Sequence, residues 1–539
     1  MEEKNVVKRI SEASKKTPKS QLNVEEMAAY CKRRGFVYPS GDIYGSLSGF
    51  FDFGSLGVEL KNNIKNSWWK TFVQSREDVV GLDGAIITHP NVWKASGHVD
   101  CFADIILQCS NGKCKEKVRA DTFLEEKLGI KLEGIKANEV NKKVNENNLS
   151  CPKCKSSFED ANDFNLMFET QVGPNKDTSN TAYLRPETAQ LIFADFKLVM
   201  ENARAKLPFG IAQIGKAFRN EISPREFLFR SREFEQMEIE FFVHPQKIND
   251  CPAALFNEIK DVKANVLTAY LQERNAKKKD DDDNNNEHME VMSFGIIGEK
   301  LTSRWHAYWL GAMYKWFLDL GIKPENLRIR QHKKEELAHY AGACFDIEYK
   351  FPFGWKEIHG NADRTTFDLT QHIKVSQKDV AVYDEESKQK VVPYVAAEPS
   401  QGVERAMLAF LFDAYSYDPA RENVVLRLHP MLAPVKVGVF PLVNKLDEEA
   451  RKVYDLLRKE FVCNYDRSGT VGKRYARNDE AGTPYCITVD FDGVNDKSVT
   501  IRDRDTTKQI RVKISELKDV LRRLLNSEIE FKDAGRMLN

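Results

Sequence analysis

At 539 residues, with 42% apolar and 30% charged side chains, the chain is too long for one hydrophobic core and too evenly mixed to be fibrous or disordered throughout. Lys plus Arg and Asp plus Glu both number 81, so no global field exists and any nucleic-acid footprint must be local. No apolar run reaches bilayer-spanning length and the N-terminus has no apolar signal core, which points to a cytoplasmic protein whose ten cysteines are thiols or metal ligands rather than a disulfide framework.

Residues 1–20 are polar and expected to be loosely ordered. A helical pattern follows from Val24 to Arg34, broken by Gly35, Pro39 and Gly41. Leu56, Leu60, Ile64, Trp68 and Phe72 then recur at helical spacing, which fits a core helix as well as a subunit interface. From about residue 100 to 165 runs a Lys- and Asn-rich insertion framed by Cys109 and Cys114 and by Cys151 and Cys154. Two close cysteine pairs with Gly112 and Pro152 as turn residues fit a four-thiolate zinc knuckle. The first pair is more widely spaced than usual, and reduced free thiols remain the alternative.

An alternating run through Ile211, Gln213, Ile214, Ala217 and Phe218 leads into Arg219, Asn220 and Glu221, and a second one through Met237, Ile239 and Phe241 leads out of Arg230, Arg232 and Phe234. Two antiparallel strands would carry these charges and the aromatic ring onto one site. Guanidinium groups match phosphate and carboxylate oxygens, a carboxylate accepts from an exocyclic amine, and a ring stacks on a base. Surface ion pairs on a solvated hairpin are the plain alternative. Further on, Lys277 to Lys279 precede a run of Asp and Asn, predicting a mobile surface loop over about 275–290. At Glu398 to Arg405, Ser400 is the expected N-cap of a helix over 406–415, Gly402 permits close backbone approach, and Arg405 projects near a helix end that favours anions.

After a linker at 428–434 the pattern changes to a strand at 435–440, a helix at 448–461, a strand at 485–491, a hairpin over 499–512 and a closing helix at 514–525. Arg467, Lys473, Arg474 and Arg477 are the phosphate-contact candidates there.

Taken in order, the helix after Gly57-Val58-Glu59-Leu60, the Phe218-Arg219-Asn220-Glu221 hairpin and the Gly402-Val403-Glu404-Arg405 helix resemble motifs 1, 2 and 3 of the class II aminoacyl-tRNA synthetases. Further words are similar to the homodimeric glycine-specific branch: Ala95-Ser96-Gly97-His98-Val99, Arg119-Ala120-Asp121, Tyr183-Leu184-Arg185-Pro186-Glu187-Thr188, Arg232-Glu233-Phe234-Glu235-Gln236-Met237-Glu238 and Ala362-Asp363-Arg364 with Asp368-Leu369. The resemblance implies an α+β fold: an antiparallel sheet flanked by helices over residues 21–430, then an α/β anticodon-binding domain over 431–539. It also implies ATP with Mg²⁺, glycine and tRNA(Gly) as reactants, and a homodimer through motif 1.

The same resemblance implies the site. Arg219 and Arg405 are the expected catalytic side chains. Asn220, Glu221, Phe229, Arg230, Arg232, Phe234, Glu357, Ile358 and Gly402 join them around ATP, with Arg230 and Arg232 toward pyrophosphate and Glu357 and Glu398 as Mg²⁺ ligands. Glycine is expected among Arg119, Glu187, Phe234, Glu235, Gln236, Met237, Glu238, Glu398, Ser400 and Gly402, where crowded carboxylates exclude any Cβ. For Glu187 alone, a helix-start carboxylate is the simpler reading. Ser55 stands where motif 1 usually has Pro. A synthetase-like binding module without activity is the competing class, and the intact arginine set argues for catalysis.

Overall fold

Helix α1 (Val24–Arg34) begins where Asn23 and Glu26 cap each other's backbone amides and carries Lys32, Arg33 and Arg34 in its last turn, as its dipole favours. Helix α2 (Ser55–Trp69) starts at Gly54 and lies tight against the preceding segment. A Cβ on Gly57 would stand 1.8 Å from the Phe36 carbonyl oxygen, so only glycine admits this approach. The periodic residues Leu60, Ile64, Trp68 and Phe72 are buried in the chain's own core, which resolves that stripe as packing.

The structure, a computed structural model, describes residues 22–129, 135–174, 180–278, 287–338, 340–385 and 388–538. The expected loose segment 1–20 and residues 279–286 of the expected surface loop lie outside the described residues. In chain order follow β1 (Val79–Gly81), α3 (Ala189–Ala203), β2 (Phe209–Phe218), β3 (Glu233–Val243), β4 (Lys263–Leu267), β5 (Glu290–Ser293), α4 (Arg304–Asp319), β6 (Leu327–Gln331), β7 (Ala343–Phe351), β8 (Gly354–Asp363), α5 (Phe367–Ser376), β9 (Tyr394–Gly402) and α6 (Val403–Ala414). The nine strands form one sheet in the order β5-β4-β6-β7-β8-β9-β3-β2-β1. It is antiparallel except where β1 runs beside β2 and β4 beside β6.

Side chains alternate across this sheet and divide its labour. On β3, Met237, Ile239 and Phe241 enter a core shared with α2, α4 and α6, which adds Trp305, Trp309 and Met407. Phe234, Gln236, Glu238 and Glu240 point the other way, and near that face Phe242 packs with Ile192, Phe193 and Phe196 of α3. The polar site is thus held on a strand whose reverse is apolar from Met237 onward.

A second core belongs to a six-stranded sheet at the C-terminal end. Its elements are β10 (Val437–Pro441), α7 (Asp447–Leu457), β11 (Cys463–Tyr465), α8 (Val471–Ala481), β12 (Tyr485–Val489), β13 (Ser498–Asp503), β14 (Gln509–Lys513), α9 (Leu517–Leu525) and β15 (Arg536–Leu538). The strand order is β11-β10-β12-β13-β14-β15. Strand β11 and helix α8 had no sequence signal, since one is three residues long and the other is dominated by polar side chains. Arg474 of α8 is buried and donates to the carbonyls of Pro441, Arg467 and Gly469, so it is a structural anchor rather than a phosphate contact. The two units meet where Asn423 Nδ2 donates to the Ala476 carbonyl at 3.0 Å, Arg421 Nη1 to the Arg504 carbonyl at 2.7 Å and Tyr30 Oη to the Glu480 carbonyl at 2.5 Å.

The three motif segments are joined by one buried cation. Lys61 Nζ of α2 lies 2.6 Å from Glu404 Oε1 of α6 and 2.9 Å from Glu235 Oε1 of β3, while Glu404 Oε2 accepts the Glu235 amide at 2.9 Å. Removing one partner of such a cluster strands buried charge at a cost of about 3 kcal/mol. Lys61→Met is therefore expected to lower stability by about that much, and adding Glu404→Gln should restore part of it; urea unfolding curves of the two variants make the comparison.

Candidate active site

Two cavities open on the polar face of β3, β8 and β9. The first, of about 170 Å³, is lined by Arg219, Glu221, Phe229, Arg230, Phe234, Gly402 and Arg405. The second, of about 210 Å³, is lined by Glu187, Glu238, His332, Tyr340, Cys344, Asp346 and Glu398. Arg219, Gln236, Glu357 and Ser400 line both.

Arg219 follows the last residue of β2, where its amide still pairs with the Arg232 carbonyl at 2.9 Å. Its Nε donates to the Pro186 carbonyl at 3.0 Å, and its guanidinium lies 5.4 Å from the ring centres of both Phe102 and Phe234. The cation is therefore fixed at the boundary of the two cavities. Across the first cavity, Arg405 Nε donates to the Phe229 carbonyl at 3.1 Å, its guanidinium lies 4.6 Å over the Phe229 ring, and Nη1 reaches Glu357 Oε2 at 3.1 Å. Arg230 Nε donates to Glu221 Oε2 at 2.7 Å. Three cations and a ring thus surround a space that fits a nucleotide and its phosphates.

The second cavity is dominated by carboxylates. Glu238 Oε1 accepts from Ser400 Oγ at 2.6 Å and from Gln236 Nε2 at 2.8 Å, and Oε2 accepts from the Thr188 amide at 3.1 Å and from its hydroxyl. Glu187 Oε2 faces His98 Nε2 at 3.3 Å, and Oε1 accepts from Gln190 Nε2 at 3.1 Å. Behind them Arg364, fully buried, holds Asp368 through two bonds of 2.8 and 2.9 Å and Glu398 Oε1 at 2.6 Å. Burial pushes the Glu238 carboxyl up, with the Glu187 charge adding to it. Burial acts the same way on Glu187, yet the His98 ring overcomes it and holds that carboxyl well below the usual range. Glu240, buried without a hydrogen-bond partner among the described residues, is raised by burial and by Glu398. The arrangement offers a cationic ligand one firmly ionised carboxylate among neighbours that ionise once it arrives.

Gly215 leaves space for Arg185, because a Cβ there would stand 2.1 Å from its Nη2. The buried Arg185 donates to the Lys216 and Gly84 carbonyls at 2.6 and 2.7 Å and so fixes the strand end that presents Glu187.

Several expected site residues stand elsewhere. Glu235 and Met237 sit on the opposite face of β3 from Gln236 and Glu238, one bound to Lys61 and Lys65, the other in the core. Arg232 is spent on the Glu221 and Ser48 carbonyls at 2.7 to 3.0 Å. Ile358 is buried in the core. Arg119 pairs with Asp104 at 3.1 Å and Asp121 at 2.7 Å and lines neither cavity. Asn220 lines neither cavity, its amide bonding the Leu166 carbonyl at 2.7 Å. Ser400 belongs to β9, and α6 begins at Val403 after Gly402 as N-cap, with no side-chain cap. Of the two expected Mg²⁺ ligands, Glu357 lines both cavities with its side chain 46% exposed, whereas Glu398 lines only the second and is committed to Arg364. The reading from residues missed His98, Thr188, Tyr340, Arg364 and Asp368 as cavity builders, although all but Tyr340 lie inside words that carried the resemblance.

In the insertion, the sulfurs of Cys109, Cys114, Cys151 and Cys154 all lie within 4.8 Å of one another, with Cys109 to Cys154 at 3.4 Å and Cys114 to Cys151 at 3.9 Å. A tetrahedron with zinc–sulfur bonds of about 2.3 Å has edges of about 3.8 Å, so these four thiols fit a zinc ion.

Comparison with known proteins follows the same division of the chain. Residues 168–414 match the family described as tRNA synthetase class II core domain (G, H, P, S and T), and residues 436–524 match the anticodon binding domain family. The glycine–tRNA ligase of Ruminiclostridium cellulolyticum is 45% identical over 92% of this chain and 97% of its own, and that of Acetivibrio thermocellus 45% over 92% and 96%. A crystal structure of prolyl-tRNA synthetase from Cryptosporidium parvum, complexed with halofuginone and AMPPNP, superposes over 94% of this chain and 77% of that one with a TM-score of 0.54 at 13% identity, a likeness of fold.

Burial pushes the Glu398 carboxyl up to about 8, against the attraction of Arg364. A carboxyl raised in the folded state stabilises the fold below its unfolded pKa and loses that contribution as pH rises through the folded one. Melting temperatures of the protein should therefore fall between about pH 5 and about pH 8, and Glu398→Gln should flatten that fall; an unchanged slope would refute the assignment.

Proposed function

The chain belongs to the glycine–tRNA ligases of class II, and on that premise we propose how its side chains divide the reaction. The enzyme activates glycine with ATP to glycyl-adenylate and pyrophosphate and then transfers the glycyl group to the 3′ end of tRNA(Gly). The observation that carries the reading is the position of Arg219, which lines the nucleotide-shaped cavity and the carboxylate-rich cavity together.

Glycine takes the second cavity, its ammonium toward Glu187 and Glu238 and its carboxylate toward Arg219. ATP takes the first, the base between Phe234 and the Phe229–Arg405 wall and its exocyclic amine toward Glu221. A glycine carboxylate oxygen then attacks the α-phosphorus in line, and the bond to the pyrophosphate oxygen breaks. Arg219 lowers the repulsion between the two anions and stabilises charge on the equatorial oxygens, while Arg230 and Arg405 accompany the leaving pyrophosphate. Mg²⁺ on the ATP supplies further charge neutralisation at the phosphates, and Glu357 at the cavity boundary is the side chain placed to hold it. Discrimination against larger amino acids follows from volume and charge together, since any Cβ would meet the crowded carboxylates or strip them of water.

The four-cysteine knuckle holds a structural zinc that closes the insertion over the rim, where Asp104 meets Arg230 at 3.6 Å. Dimerisation uses the motif 1 region: Ile43, Tyr44 and Leu47, in the segment that precedes α2 in the chain, are 87%, 90% and 74% exposed, an apolar set that a second copy would cover. A cytoplasmic enzyme accords with the chain, in which no described helix is long and apolar enough to cross a membrane.

ATP–pyrophosphate exchange with glycine tests the central assignment. Arg219→Ala should reduce it by at least about a hundredfold at an unchanged melting temperature; undiminished exchange would remove Arg219 from the reaction. Native mass spectrometry weighs the other two proposals at once, with a dimer carrying one zinc per chain expected. A zinc-free monomer would overturn both.

A further inference from the structure

Three side chains of the second cavity have no part in the scheme above: His332, Cys344 and Asp346. Cys344 and Asp346 stand two residues apart on β7 and so project to the same face, and the His332 amide, just beyond β6, bonds the Cys344 carbonyl at 3.0 Å. One donor atom from each lies within 4.8 Å of the other two, and His332 Nε2 touches Asp346 Oδ2 at 2.7 Å. Glu357 stands outside this group of three but lines the same cavity. Gly360 on β8 pairs with Asp346, and a Cβ placed on it would lie 3.6 Å from Glu357 Oε1 and 4.0 Å from Asp346 Oδ1, so both carboxylates converge above this bare backbone. The cluster opens into the cavity rather than into the core. Two cations compete for it: Arg330, whose Nη1 lies 3.7 Å from Asp346 Oδ2 while its Nη2 bonds Glu336 at 2.6 Å, and Arg405, whose Nη1 lies 3.1 Å from Glu357 Oε2.

From this geometry we propose that His332, Cys344 and Asp346, with Glu357 as the fourth donor, form a site for a borderline divalent cation of the zinc class inside the cavity. One imidazole, one thiolate and two carboxylates suit such an ion and not Mg²⁺, which prefers oxygen alone. Binding releases the thiol proton of Cys344 and whichever proton the His332–Asp346 contact shares, and forms no other bond. An ion here draws Glu357 from the nucleotide side and ties up the Asp346 carboxylate beside the place where an ammonium enters, so it acts as a brake on activation. That consequence rests on the reading of the cavity as the glycine site. The binding does not.

The test is Co²⁺ titrated into the full-length protein carrying one zinc per chain, without substrates, followed by absorption. Saturation at one equivalent is expected, with a thiolate-to-cobalt band in the near ultraviolet and visible bands typical of low coordination. Cys344→Ser should lose the ultraviolet band and His332→Ala should lose saturation, while the Cys109→Ser, Cys151→Ser variant should keep both features. If Cys344→Ser does not fold by circular dichroism, His332→Ala carries the test alone. Absence of saturable absorption in the unmodified protein, or the same spectrum in His332→Ala, would overturn the site. A signal lost only in the Cys109→Ser, Cys151→Ser variant would assign the cobalt to the knuckle and overturn it equally.

Discussion

Arg364 is the buried cation around which the carboxylate-rich cavity is assembled. It is sealed from solvent, stacked 4.0 Å over the Tyr340 ring, and bonded to Asp368 and Glu398, with Glu187, Glu238 and Glu240 in its field. Five carboxyl groups around one guanidinium cannot all ionise in a low-dielectric interior, so the cavity keeps neutral carboxyls that ionise when a cationic ligand arrives. On the proposed reading of this cavity as the glycine site, selectivity for the smallest amino acid follows, because the space that would receive a side chain is occupied by groups that must stay solvated or paired.

The alternation of β3 converts that chemistry into structure. One face bears Phe234, Gln236 and Glu238 and lines the cavities; the other bears Glu235, Met237 and Ile239 and meets α2 and the core. Lys61 ties Glu235 and Glu404 together on the reverse side, so the helix that carries Arg405 and the strand that carries Phe234 are fixed to α2 by charge as well as by packing.

Much of this was legible in the residues. The helix over Val24–Arg34 was readable because its cap and its breaker are local, and the hairpin around Arg219 because strand alternation is strong on both arms. The same alternation should have excluded Glu235 and Met237 from the site, since they are out of phase with Phe234 and Glu238. Arg232 and Arg474 could not have been excluded this way, because their guanidinium groups are consumed by backbone carbonyls that only the folded loops present. His332, Cys344 and Asp346 were invisible for another reason: β6 and β7 carry no motif, and only the sheet order brings them beside Glu357, Glu187 and Glu238. Long-range pairing of strands is what a sequence pattern states least directly.

The claim on which this account turns is that a small, carboxylate-crowded cavity beside Arg219 accepts glycine and rejects the next larger amino acid. Calorimetric titration with the non-hydrolysable adenylate analogues of glycine and of alanine measures it without turnover. The glycyl analogue should bind at least about tenfold more tightly than the alanyl one, whereas equal affinities, or a preference for alanine, would contradict it.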